Sequence, residues 1–184
     1  MKVIDTAIAD VKIIEPAVFE DERGFFYESY NRDKFAKATG LTSDFVQDNH
    51  SLSAAGVVRG LHYQIQHAQG KLVRVTAGEV FDVAVDIRRA SPTFGKHISV
   101  LLSAENKRML WVPDGFAHGF MALTDDVEFL YKTTDVWFKE HERTLLWNDP
   151  ALEIAWPLER VNHQPRVNAK DAEGSLFKDA DYFA

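Results

Sequence analysis

Cysteine is absent from the 184 residues, which excludes disulfides, zinc–thiolate sites and thiol nucleophiles and leaves packing to hold the fold. Positive charge is in deficit: 21 Lys and Arg stand against 28 Asp and Glu, a formal charge of −7. That balance repels polyanions at long range, so no nucleic acid polymer and no membrane surface is expected as a partner. A small anionic ligand stays open, because basic groups gathered in one cleft outweigh a diffuse negative surface that salt screens beyond about 8–10 Å. Long apolar runs are missing too. No segment approaches a membrane helix, and Met1-Lys2-Val3-Ile4-Asp5 puts charge where a signal peptide needs an unbroken apolar stretch. A soluble, cytoplasmic protein is expected. There is no internal repeat, low-complexity tract or linker, and a chain that is 46% hydrophobic suffices for one buried core, so residues 1–184 are read as a single domain.

What is present is short alternation. Val80 to Ile87, Ile98 to Leu102, Met109 to Val112 and Val127 to Lys132 each read as strands. Turn chemistry at Ala77-Gly78, Ser91-Pro92-Thr93-Phe94-Gly95, Ala104-Glu105-Asn106-Lys107 and Pro113-Asp114-Gly115 separates them. This spacing predicts an all-β sandwich or barrel. Helix is scarce: Asn31 is placed to cap a short segment through Lys37, with Gly40 as its C-terminal cap, and a second short helix is expected near Leu176-Phe177. From Asn148-Asp149-Pro150 onward the alternation fades, and Pro157 and Pro165 interrupt what remains. The segment from about residue 150 is therefore expected to pack over the β-core as loops and short helices.

The chemistry concentrates in Val58-Arg59-Gly60-Leu61-His62-Tyr63-Gln64 and Gln69-Gly70-Lys71-Leu72-Val73-Arg74. Alternation through both would hold an imidazole among cations on rigid strand backbone. A β-barrel with polar groups at its mouth fits a binding module, a metal oxygenase or a metal-free acid–base enzyme. The seven histidines include no His-x-His pair, which argues against a protein-bound metal. Proton removal next to a carbonyl needs a base, a donor for the enolate oxygen and an acid on the far face. His62, Lys71 and Tyr131 supply all three types, an imidazole being partly unprotonated at neutral pH.

Arg59 to Gln64, Gln69 to Arg74, Gly78 to Arg88, Trp111 to Phe120 and Leu146 to Pro150 occur in one order and closely resemble the dTDP-4-dehydrorhamnose 3,5-epimerases, in the metal-free branch of the cupin folds. The resemblance implies a cupin-like jelly roll, a homodimer and no cofactor, and an enzyme that converts dTDP-4-dehydro-6-deoxy-D-glucose to dTDP-4-dehydro-L-rhamnose by inverting C3 and C5. It also implies site residues. His62 matches the base, Tyr131 the proton donor, and Asp171, in Asn168-Ala169-Lys170-Asp171, the carboxylate that orients the base. Arg23, Arg59, Lys71 and Lys170 resemble the set for the diphosphate and the sugar carbonyl; planar guanidinium groups suit phosphate oxygens. Glu28, Gln47, Asn49, His118 and Glu142 fall on thymidine and sugar contacts, and Trp137 on an aromatic that stacks against thymine. Between His62 and Lys71 the chain is one residue shorter than many relatives, so this loop is expected to take its own path.

Plainer readings stand beside these. His62 alone would be a hydrogen-bonded strand histidine, Tyr131 a packing residue, and Asp171 a solvated carboxylate in a polar segment. Arg23 and Arg59 could be engaged by Glu22, Glu28 or Asp86 in weak surface pairs. Trp137 could belong to the core, although Lys139-Glu140-His141-Glu142 after it implies an exposed edge. His118 could be structural, and His67 and His141 read as surface residues. The alternative functions are an enzyme that inverts one carbon or moves the keto group, and a sugar-nucleotide-binding module without activity. Val11-Lys12-Ile13-Ile14 reads as an edge strand able to join a partner's sheet.

Overall fold

Alternation along each strand decides which side chains face the interior, and the computed structural model, which describes residues 1–42 and 44–184, shows the result. In chain order the strands are β1 (Lys2–Asp5), β2 (Lys12–Glu15), β3 (Phe19–Asp21), β4 (Gly24–Phe26), β5 (Gln47–Ser53), β6 (Val58–Gln64), β7 (Lys71–Ala77), β8 (Glu79–Asp86), β9 (His97–Ser103), β10 (Met109–Val112), β11 (Phe116–Ala122), β12 (Val127–Thr133) and β13 (Glu142–Thr144). Helix α1 (Arg32–Thr39) precedes β5, and the single turn α2 (Ala169–Ala172) lies near the end. Among the described residues the strands make a six-stranded sheet, β1-β2-β10-β7-β12-β5, a five-stranded sheet, β13-β6-β11-β8-β9, and a separate β3–β4 hairpin. All named pairings are antiparallel. This is a mostly β sandwich of the cupin type.

Val73, Val75, Leu110 and Val112 from the larger sheet meet Val80, Ala84, Phe116 and Phe120 from the smaller in one buried cluster. Burying such side chains stabilises the fold by about 1.5–3 kcal/mol each for the larger ones. The smaller sheet is also covered outside: Leu61, Tyr63, Val83 and Val85 pack with Leu145, Leu152, Trp156 and Phe177 from the C-terminal segment. Burial on both faces explains why β8 and β11 are rich in apolar residues at adjacent positions. On the outside of the larger sheet, Ile14, Leu72, Met109 and Trp111 lie against Phe35 of α1. Helix α1 begins where the Asn31 side chain accepts the Lys34 N–H at 3.1 Å. It ends at Gly40, whose φ of 76° is left-handed and whose N–H reaches the Ala36 carbonyl.

One expectation is corrected. The Val11–Ile14 run is not an edge strand, because β2 pairs with β1 on one side and β10 on the other, Ile14 lying opposite both Val3 and Met109. The chain folds back on itself and covers that edge with its own first strand, leaving β1 and β5 outermost. Among the described residues no helix is long and apolar enough to cross a membrane.

The inward rows change character at one end of the sandwich. Along β7 the row Val75 and Val73 continues to Lys71; along β12, Val127 and Phe129 lead to Tyr131; along β11, Phe120 precedes His118 on the same face. His118 sits opposite His62, and Tyr131 opposite Asn49 and Val73. Strands β6 and β11 come unusually close here. A Cβ on Gly60 would lie 2.6 Å from the Cα of Gly119, and Gly60 also has a φ of +123°.

Candidate active site

The inward polar groups line a cavity of about 330 Å³ that holds Asn49, Arg59, His62, Lys71, His118, Tyr131, Trp137, Glu142, Asn168 and Asp171, with Ser51 and Gln69 among its other walls. A second cavity, about 210 Å³, lies near His50, Arg74, Met109 and Lys132 and contains neither His62 nor Asp171. The chemistry therefore belongs to the first.

His62, on β6, has its side chain 29% exposed, and its Nε2 lies 2.6 Å from Oδ1 of Asp171. The other ring nitrogen makes no hydrogen bond among the described residues. Asp171 is 0% exposed, so the reading of a solvated carboxylate is corrected: α2 folds its short polar segment inward over β6. The Gly60 N–H donates to Oδ2 at 3.3 Å. Burial pushes the Asp171 carboxyl up, but the bond and charge of His62 with the Gly60 N–H outweigh it and hold the group below the usual carboxylate range. The turn is fixed by Asn168, whose Oδ1 accepts the Asp171 N–H at 2.7 Å.

Tyr131 faces the same space from β12. Burial, with the Glu142 charge, raises its phenol above the ordinary value against the opposing pull of Arg59, so it stays protonated at neutral pH. Lys71 is 7% exposed and its Nζ donates to the His62 carbonyl at 3.2 Å. Burial lowers it to about 8, while the Glu142 and Asp82 charges act in the other direction. His118 is likewise buried, with Nε2 2.8 Å from Oδ1 of Asp82.

Arg59 donates to the Ser53 hydroxyl at 3.1 Å and the Leu52 carbonyl at 3.2 Å. It has no carboxylate partner among the described residues, and Asp86 is taken instead by Arg88. The cavity thus keeps a guanidinium with spare donors. Lys170 bonds Glu142 at 2.7 Å at the cavity wall. Trp137 is 50% exposed, so it belongs to the rim and not the core. Gln47 steadies that rim by accepting the Trp137 N–H at 3.0 Å and donating to Asn49 at 3.1 Å. His67 leans on Phe138, ring centroids 4.3 Å apart, and bonds Asp135 at 3.2 Å.

Four residues of the sequence set are absent from the lining of this cavity: Gln47 and Lys170 adjoin it through Trp137 and Glu142, and Arg23 and Glu28 stand apart. Arg23 is in the turn of the β3–β4 hairpin, bound to Asp21, and Glu28 is bound to Lys34 and Asn31. Neither lines the His62 cavity. Residues that sequence reasoning missed are Asn168, Asp82 and Gln64, whose side-chain amide bridges the Phe138 N–H and the His67 and Val136 carbonyls. For Asn168 a signal was available, since Asn immediately before a short helical turn, with an acid three positions on, is a capping pattern. Among the described residues no group of three or more His, Asp or Glu side chains is arranged to hold a metal ion.

The model of the family described as dTDP-4-dehydrorhamnose 3,5-epimerase matches residues 5–179. A Pseudomonas aeruginosa dTDP-4-dehydrorhamnose 3,5-epimerase is 61% identical over 183 residues, covering 100% of this chain and 99% of the relative. Its Shigella flexneri counterpart is 58% identical over 184 residues, covering 100% and 99%. A solved Legionella pneumophila dTDP-6-deoxy-D-glucose-3,5-epimerase, in complex with dTDP-4-keto-L-rhamnose, superposes with a TM-score of 0.94 at 52% identity, covering 98% of this chain and 94% of that one. The chain belongs to the dTDP-4-dehydrorhamnose 3,5-epimerase family.

Proposed function

We propose that residues 1–184 form one epimerase domain that inverts C3 and C5 of dTDP-4-dehydro-6-deoxy-D-glucose, giving dTDP-4-dehydro-L-rhamnose for dTDP-rhamnose biosynthesis in the cytoplasm. The observation that carries this reading is a carboxylate-backed imidazole and a protonated phenol in one cavity. His62 takes the proton from the carbon next to the C4 carbonyl, and the C–H electron pair moves into the enolate. Asp171 stabilises the imidazolium that forms. Lys71, itself 7% exposed, offers its ammonium to the enolate oxygen. Tyr131 then delivers a proton to the opposite face; solvent takes the proton from the His62 imidazolium and returns one to the Tyr131 phenolate, and the second carbon repeats the cycle. The reaction is redox-neutral, since the proton removed and the proton returned balance, and no cofactor is needed.

Arg59 suits the diphosphate, and Trp137 offers a flat face to thymine. Asn49, His118, Glu142 and Lys170 are at hand for sugar and nucleoside hydroxyls. We further propose a homodimer. Phe19, Phe25 and Phe26 stand exposed on the β3–β4 hairpin, apolar surface that a second copy would cover. Arg23 and Glu28 would then reach the partner's cavity and not their own. Sedimentation giving a monomer at working concentration contradicts that assembly.

The test of the activity is product analysis by NMR after incubation with dTDP-4-dehydro-6-deoxy-D-glucose. The expected product has both centres inverted; a product inverted at one centre, or none, overturns the reading. Tyr131→Phe is expected to keep proton removal, seen as solvent deuterium uptake, while losing inverted product. Equal loss of both would reassign the phenol.

A further inference from the structure

Asp171 reaches His62 on a segment that is pinned at both ends. Upstream, the Arg166 carbonyl accepts the Val58 N–H at 2.9 Å and the Arg166 N–H donates to the Gly56 carbonyl at 2.7 Å, at the entrance to β6. Downstream, the Ser175 N–H donates to the Thr144 carbonyl and the Leu146 N–H to the Ser175 carbonyl, both at 2.8 Å, closing a parallel bridge between Leu145 and Ser175. Leu145 is itself tied to Leu61 of β6 in both directions, at 2.9 and 3.2 Å, and Thr144 lies opposite His62. Residues 166–175 therefore arch over the part of β6 that carries Gly60 and His62, with the downstream pin one chain away from the residue before the base.

Between Asp171 and that pin there is no slack. The Ala172 N–H bonds the Asn168 carbonyl and the Glu173 N–H the Ala169 carbonyl, each at 3.0 Å, so the turn is one hydrogen-bonded unit up to Gly174. A Cβ on Gly174 would sit 2.7 Å from the Leu146 nitrogen, 2.8 Å from the Leu145 carbonyl carbon and 2.9 Å from its oxygen, all backbone. Leu145 is fully buried in one cluster with Leu61, Val83 and Val85, so relief has to come from the segment and not from the sheet. Moving the closest contact from 2.7 Å to the 3.4 Å at which ordinary packing begins takes a backbone shift of about 0.7 Å. The His62 Nε2–Asp171 Oδ1 distance is 2.6 Å, and charge-assisted bonds of this kind reach to about 2.9 Å. A retreat of that size at Asp171 breaks the pair.

We propose that Gly174 is a positioning residue for the His62–Asp171 pair: its missing side chain lets Ser175 lock onto Leu145, and that lock holds the carboxylate within reach of the imidazole. Neither Gly174 nor Ser175 lines the cavity, so the contacts offered by Asn49, Arg59 and Trp137 do not pass through the lock. That the pair removes a proton rests on the function proposed above; that Gly174 sets the geometry of the pair does not.

The first measurement is backbone amide exchange by NMR in the unsubstituted, ligand-free protein. The Gly60 N–H reports the docked carboxylate, since it donates to Asp171 Oδ2, and the Leu146 N–H reports the lock. Both are expected to open in one event, with protection factors equal within about threefold; a larger difference in either direction overturns the proposal. The second is Gly174→Ala, in which kcat is expected to fall by at least about tenfold with KM nearly unchanged. A smaller fall, or a change in KM as large as that in kcat, overturns it. Gly40→Ala is the control for stability alone, since it strains a φ of 76° in open space at the end of α1; it should lower the unfolding midpoint and leave kcat unchanged, and an equal loss of kcat there overturns the assignment to Gly174. Should Gly174→Ala fail to fold, the exchange comparison decides alone. Absence of epimerisation in the unsubstituted protein would remove the proposed function and leave the exchange result to decide on Gly174.

Discussion

Two histidine–carboxylate pairs meet at one cavity, His62 of β6 with Asp171 of α2 and His118 of β11 with Asp82 of β8, and they are built differently. Asp171 has donors on both oxygens, from His62 and Gly60, and His62 keeps an exposed ring edge. Asp82 has one oxygen satisfied and one orphaned, and His118 is almost wholly buried. The carboxylate moves down in the first pair and up in the second. A satisfied anion beside an accessible imidazole makes a base that accepts and releases a proton. An under-satisfied anion beside an enclosed imidazole makes a fixed dipole. The same two residue types thus do different work because of what surrounds the second oxygen.

The comparison breaks most completely at His62. Its replacement by Ala should lower turnover by on the order of 10⁴-fold, the upper end for a general base. Asp171→Asn keeps the shape and removes the charge, and a loss of about 10²-fold in kcat with a much smaller change in KM is expected. Steady-state kinetics reads both, and a KM effect alone would mean that Asp171 orients substrate instead of His62.

Solution pH sharpens the comparison next. Lys71 should lose its proton as pH rises through about 8, so kcat is expected to fall above that value while Tyr131, raised by burial, remains protonated. A profile flat to pH 10 would contradict the role given to Lys71. Gly60→Ala tests whether the two pairs depend on the close approach of β6 and β11. A new Cβ against Gly119 backbone, at a positive φ, should cost about 1–3 kcal/mol of stability by thermal or denaturant unfolding. The smallest effect is expected at Asn168. Ala there removes a cap worth about 0.5–2 kcal/mol, whereas Ser, which also caps, should restore most of it.

How much of this was legible in the chain depends on which neighbours set each residue's environment. Helix α1 could be read from Asn31 and Gly40 because caps are local chemistry, and β8, β9, β10 and β12 from alternation against a dry core. Strand β5 escaped notice. Its inward row of Gln47, Asn49 and Ser51 is polar, and Asn49 and Ser51 line the cavity beside Tyr131, so no apolar alternation marks it. Asp171 read as solvated because its own segment is polar, yet its burial is set by His62 and Gly60 more than a hundred residues earlier. The N-terminal run misled in the opposite way. Val11 to Ile14 looked like a free edge because nothing in four residues shows that β1 returns to pair with it. His62, Tyr131 and Lys71 were visible as suitable residue types, but that they share one cavity follows from strand register.

The most direct test of the account is solvent deuterium uptake at C3 and C5 of dTDP-4-dehydro-6-deoxy-D-glucose, followed by NMR. The unsubstituted protein should place deuterium at both carbons, and His62→Ala at neither above the uncatalysed rate. Uptake by His62→Ala at the unsubstituted rate would show that this imidazole is not the base.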